Sequence, residues 1–92
     1  GPNRGERFLL DSPDTSIGRS SESDVVLDDV TVSRKHANIR RTGERFELID
    51  LGSLNGTYVN NNSIARATLT SGDEIQFGKF HMLFVQNSKK LS

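Results

Sequence analysis

No cysteine occurs among the 92 residues, so neither a disulfide framework nor a cysteine-based zinc site is open to this chain. Net charge is missing as well: 12 basic residues balance 12 acidic ones, and no overall field draws the chain to nucleic acid or to an anionic membrane. Any anion site must therefore be local. No apolar run approaches the ~20 residues of a membrane helix, and no charged-then-apolar signal segment opens the sequence. A cytoplasmic location is expected. No window carries the apolar stripe of an amphipathic helix, and no repeat of solenoid length appears. With 33% hydrophobic residues, the chain suits one small domain, expected over 1–86, followed by a polar tail over 87–92.

What is present is a two-residue apolar period broken at close intervals by turn residues, which is a β pattern. Strands are expected over Arg7 to Leu10, Ser16 to Gly18 and Val25 to Leu27, with Asp11-Ser12-Pro13-Asp14 closing the first. From His36 the alternation sharpens: Ala37 and Ile39 against Asn38 and Arg40, a Thr42-Gly43-Glu44 turn, then Phe46 and Leu48 against Glu47 and Ile49. Tyr58-Val59, a tight connection at Asn60-Asn61-Asn62, Ile64, and Glu74 to Phe77 after the Thr70-Ser71-Gly72-Asp73 turn continue the series. The run Phe80 to Val85 is apolar on both faces after His81 and predicts a strand in the middle of a packed sandwich. Many short strands between frequent turns indicate an all-β sandwich of two sheets, with any site on the loops at one end.

Three polar clusters sit in breaks between the apolar segments: Gly18-Arg19, Ser33-Arg34-Lys35-His36, and Ser53-Leu54-Asn55-Gly56. Each has a plainer meaning when taken alone. Arg19 reads as a solvated arginine, Ser33 as a turn serine, and Asn55-Gly56 as a hairpin turn, since both residues tolerate positive φ. Together they hold what a phosphate dianion needs: a guanidinium able to donate two parallel charge-assisted bonds, a hydroxyl, loop amides, and the local charge of Arg34 and Lys35.

Catalysis is a weaker reading of the same residues. A Ser33–His36 pair oriented by Asp24 or Asp50 has no Gly-x-Ser-x-Gly elbow around it and no helix to supply an oxyanion hole. A buried histidine tying two loops together is expected instead. His36 and His81 lack the close pairing of zinc ligands, so no metal and no cofactor is expected. The basic pair Arg40-Arg41 reads as a solvated strand end.

Gly18-Arg19, Ser33-x-x-His36 and Ser53-x-Asn55-Gly56, in this order along an all-β chain, resemble the forkhead-associated (FHA) domain. The wider match, including Leu27 to Arg34, Gly52 to Asn60 and Gly72-Asp73-Glu74, is similar to actinobacterial FHA regulators that inhibit 2-oxoglutarate dehydrogenase. FHA domains are known readers of phosphorylated motifs. The resemblance implies a sandwich of about eleven short strands, the first of them truncated here, and binding of phosphothreonine-containing targets of a Ser/Thr protein kinase. It implies that Arg19, Ser33 and Arg34 contact the phosphate and that Ser53, Leu54 and Asn55 face the peptide, Asn55 holding its backbone. Gly18, His36 and Gly56 are expected to brace the loops. Leu54 stands where many members carry a hydroxyl. Metabolic dehydrogenases, docked without phosphate, are the alternative class of partner.

Overall fold

The computed structural model describes residues 8–86, and every regular element among them is a strand. β1 (Asp14–Gly18), β2 (Val25–Val26), β3 (Ala37–Thr42), β4 (Arg45–Asp50) and β7 (Arg66–Thr68) form a five-stranded sheet in the order β2-β1-β3-β4-β7. β5 (Thr57–Val59), β6 (Asn62–Ile64), β8 (Glu74–Phe77) and β9 (Phe80–Leu83) form a four-stranded sheet in the order β6-β5-β8-β9. This is the two-sheet, all-β sandwich that the turn-rich alternation predicts.

The period-two pattern explains the core. Ile17 pairs with Ala37, and Ile39 with Leu48, so one face of the first sheet presents a continuous apolar surface. Val59 and Ile75 are likewise paired in the second sheet, and Phe77 beside them is 1% exposed. Val32, Leu27, Leu69 and Phe84 fill in from the loops. Burying each large aliphatic or aromatic side chain contributes roughly 1.5–3 kcal/mol.

Antiparallel pairing also decides where the loops go. β1 runs against β3 and β3 against β4, so Gly18, Ala37 and Asp50 lie at one end of the first sheet. Asp50 accepts a hydrogen bond from the hydroxyl of Thr57 at 2.7 Å, which brings the start of β5 to the same end. Thr57 pairs with Phe77, so the turn at Gly78-Lys79 is there too. Four loops that are distant in sequence therefore meet.

Several expectations are corrected. Phe80 to Val85 is not doubly buried: β9 ends at Leu83, Leu83 and Val85 are 64% and 66% exposed, and β9 is the last strand of its sheet among the described residues. Only Met82, Phe84 and Phe80 turn inward, as alternation at a sheet edge allows. Phe8 to Leu10, expected in the first of those strands, carry no strand pairing among the described residues; Arg7 and the tail 87–92 lie outside them. Asp14 belongs to β1 rather than to the closing turn, β1 starts two residues before Ser16, Leu27 is buried just beyond β2, and β7 is a strand of polar composition that the alternation does not predict. Asn55-Gly56 does not join paired strands but crosses between the two sheets. The tight hairpin is Asn60-Asn61, where φ of 51° and 72° suits a type I′ turn between β5 and β6.

Candidate functional site

Ser33 is the meeting point of the three polar clusters. Its carbonyl accepts from the amide of Arg19 at 2.9 Å, its amide donates to Nδ1 of His36 at 3.1 Å, and its hydroxyl accepts from the amide of Leu54 at 3.0 Å. Because the Leu54 amide occupies a lone pair of that hydroxyl, the hydroxyl proton is left to donate to something else. Arg19 is tied beside it by Nε, which donates to the Val32 carbonyl at 3.0 Å, leaving the four terminal N–H groups of the guanidinium for a ligand. Arg34 and Lys35 are exposed on the same loop, and no carboxylate among the described residues forms an ion pair with them or with Arg19. The result is a small, uncompensated basic surface in a chain of zero net charge.

Gly18 lets the first loop approach. A Cβ there would overlap the carbonyl of Arg34 and come within 3.1 Å of Ser23 Oγ, so only glycine admits this contact without backbone movement. The approach is closed by the amide of Ser20, which donates to that same Arg34 carbonyl at 3.3 Å.

His36 is fully buried and joins two loops. Nδ1 accepts from the Ser33 amide, so the proton of the neutral ring sits on Nε2, which donates to the Gly56 carbonyl at 2.8 Å. The ring stands edge-on to Phe77, centroids 5.6 Å apart. Both ring nitrogens are thus engaged with backbone atoms, and neither is offered to the Ser33 hydroxyl as a general base.

The third loop is built on Asp50, which sequence reasoning considered only as a partner for a catalytic histidine. Its carboxylate accepts from the hydroxyls of Ser53 and Thr57 and from the amides of Gly52 and Ser53. Burial alone would raise the Asp50 carboxyl, but the hydrogen bonds from Ser53, Thr57 and Gly52 outweigh it and hold the group below its ordinary range. An Asp two residues before a glycine is the signature of an Asx turn, and that was the available signal. The Ser53 hydroxyl consequently donates inward to Asp50. Leu54 is 87% exposed, and Asn55 donates Nδ2 to the carbonyl of Thr31 at 2.8 Å. Gly56 follows with φ of 85°.

Arg19, Ser33, Arg34, Leu54 and Asn55 are therefore brought to one surface, Ser53 is turned beneath it, and Gly18, His36 and Gly56 lie in the contacts between loops. Thr31, which lies outside the three polar clusters, also belongs to this constellation.

The FHA domain profile matches residues 15–78. An oxoglutarate dehydrogenase inhibitor of Corynebacterium jeikeium is 56% identical over 98% of the chain, and the glycogen accumulation regulator GarA of Mycolicibacterium smegmatis is 56% identical over 97%. The chain spans 62% and 56% of the lengths of these two relatives. Among solved structures, a domain from a study of phosphothreonine-dependent FHA domain interactions superposes with a TM-score of 0.89 at 34% identity, covering 92% of this chain and 88% of that one. EmbR of Mycobacterium tuberculosis, in complex with a low-affinity phosphopeptide, gives 0.83 at 36% identity, covering 90% of this chain and 22% of EmbR. Matched across its core and its loops, the chain belongs to the forkhead-associated domain family.

Proposed function

We propose that this domain is a non-catalytic module that binds phosphothreonine peptides produced by a Ser/Thr protein kinase. The observation that carries this reading is the convergence on Ser33, where a hydroxyl that accepts from the Leu54 amide and keeps its own proton to donate stands beside a guanidinium fixed through its Nε. A phosphothreonine brings a charge of about −1.5 to −2 and three acceptor oxygens. Arg19 supplies the parallel charge-assisted donors, Ser33 a hydroxyl, and Arg34 added positive charge. Asn55 then holds the peptide backbone with one donor and one acceptor. Preference for threonine over serine rests on burial of one methyl, about 1 kcal/mol. The commitment of both His36 nitrogens to backbone atoms supports a bracing role over a catalytic one.

A second reading is docking on a folded metabolic enzyme such as 2-oxoglutarate dehydrogenase without phosphate. The relatives named as oxoglutarate dehydrogenase inhibitors support it, as does the exposure of Val30 and Leu54, each 87%, on the loops of the same surface.

Calorimetric titration with matched Thr, phosphoserine and phosphothreonine peptides, and with an unphosphorylated dehydrogenase, separates the two. Binding that requires the phosphate and is lost in Arg19→Ala supports the first reading. Peptide binding indifferent to phosphate refutes it, and dehydrogenase binding indifferent to Arg19 favours the second.

A further inference from the structure

Thr31 connects the peptide side of the site to the turn between β8 and β9. Its amide donates to Oδ2 of Asp29 at 2.9 Å, its hydroxyl donates to the same oxygen, and that hydroxyl accepts from the Lys79 amide at 3.0 Å. Nζ of Lys79 closes the ring with an ion pair to Oδ1 of Asp29 at 3.2 Å, the Asp29 side chain being only 18% exposed. Every polar group of Thr31 except its carbonyl is thereby committed to the brace. Gly78 makes the approach possible, because a Cβ there would overlap Oγ1 of Thr31 and stand 2.6 Å from its carbonyl oxygen. The carbonyl that remains accepts from Nδ2 of Asn55.

That last contact decides which way round the Asn55 carboxamide sits. A free asparagine side chain can turn about its final bond and exchange donor for acceptor. A carbonyl oxygen accepts only, so Thr31 admits the NH2 end and excludes the oxygen. Oδ1 and the second N–H then remain for a partner, which matches an extended peptide offering one N–H and one C=O. Fixing this orientation before binding lowers the ordering cost at the moment of association.

We propose that Thr31 is a positioning residue for Asn55, its carbonyl held in place by Asp29 and the Gly78-Lys79 turn so that the carboxamide is preset to clamp a peptide backbone. The inference rests on the phosphopeptide reading given above. It distinguishes the two halves of that site: the brace serves the backbone clamp and leaves the phosphate contacts of Arg19 and Ser33 alone.

Thr31→Val removes the hydroxyl at nearly constant shape, and Thr31→Ser restores it. Two probes are titrated against each: a phosphothreonine peptide with several residues on both sides, and free O-phosphothreonine, which lacks the flanking peptide bonds. Thr31→Val is expected to weaken the peptide by about three- to tenfold, the range for one neutral hydrogen bond, and to leave free phosphothreonine unchanged. Thr31→Ser is expected to match the parent protein in both. In the NMR spectrum the Asn55 Nδ2 proton pair is expected to move toward free-carboxamide shifts in Thr31→Val alone. Asp29→Ala, which deletes the acceptor of both Thr31 groups at a side chain 18% exposed, is expected to give the same selective loss should Thr31→Val not fold. Equal peptide affinity in the parent, Thr31→Val and Asp29→Ala overturns the inference and leaves the phosphopeptide reading intact. Parallel loss of both probes also overturns it, by assigning Thr31 to the whole loop cluster. Failure of the parent protein to bind either probe refutes the phosphopeptide reading itself, and the inference with it.

Discussion

The amide of Leu54 donates to the hydroxyl of Ser33 across 3.0 Å, joining loops whose residues stand 21 positions apart. One serine thereby fastens the third loop to the second and keeps a hydroxyl proton to donate, the proton we propose for a phosphate oxygen. Loss of that hydroxyl should act on both. Ser33→Ala is expected to weaken phosphothreonine peptide binding by about tenfold or more and to lower the urea midpoint slightly, because the Leu54 amide is exposed and can turn to water. Arg19→Ala, which removes a charge-assisted pair, is expected to cost about 1.5–3 kcal/mol of binding with little change in stability. Titration and urea unfolding on the same preparations check both. A silent Arg19→Ala would refute its assigned role.

His36 holds two backbone groups that have no other partner in their loops, the Ser33 amide and the Gly56 carbonyl. His36→Phe preserves the ring beside Phe77 but leaves both groups unpaired in a half-buried place. Each orphaned group costs about 1–3 kcal/mol, so a destabilisation of about 2–6 kcal/mol is expected in urea unfolding. A change under about 0.5 kcal/mol would show that water replaces the ring nitrogens.

Gly18→Ala sets a methyl against the carbonyl of Arg34. That atom is backbone, so relief requires the first two binding loops to separate. A loss of about 1–3 kcal/mol in stability is expected, as for overpacking in a core, with weaker peptide binding because Arg19 and Ser33 move apart. Preserved affinity in a folded variant would mean that the loops adjust without disturbing the phosphate contacts.

Asp29 governs an acid-sensitive part of the molecule. Hydrogen bonds from the Thr31 hydroxyl and amide, more than the Lys79 ammonium, lower its carboxyl from 3.8 to about 2. A depressed folded value means that its contribution is fully present above the unfolded value and is lost as pH falls through the folded one. The stability difference between the parent protein and Asp29→Asn should therefore be constant from neutrality down to about pH 5 and shrink between about pH 4 and 2. Urea unfolding across that range measures it. A difference that does not vary with pH would show that Asp29 is not held in its ionised form by Thr31.

The alternation of Ala37, Ile39, Phe46 and Leu48 made one hairpin readable, and the turn residues at Gly43, Asn60-Asn61 and Gly72 punctuated the rest. These are local signals, since each rests on side-chain period or on the φ that a residue tolerates. The same locality misled at both ends of the chain's range of apolarity. Phe80 to Val85 is apolar enough for a doubly buried strand, yet burial depends on what lies against each face, and Leu83 and Val85 face solvent. Arg66 to Thr68 is too polar to announce a strand, and only pairing with β4 makes it one.

For the site, the sequence alone determined the chemical inventory: a guanidinium after glycine, a serine and a histidine three apart, and an asparagine before glycine, each in a break between strands. Tertiary structure decided what these groups can do. Antiparallel registers put the ends of β1, β3 and β4 together, the Asp50–Thr57 bond adds the start of β5, the Leu54 amide ties down the Ser33 hydroxyl, two backbone atoms occupy His36, and Asp50 draws Ser53 inward. Thr31 entered the site only in three dimensions, because its neighbours Asp29, Asn55 and Gly78-Lys79 share no sequence motif. Hydrogen bonds are short and directional, so the role of each polar side chain depends on which partners the packed sheets bring within reach.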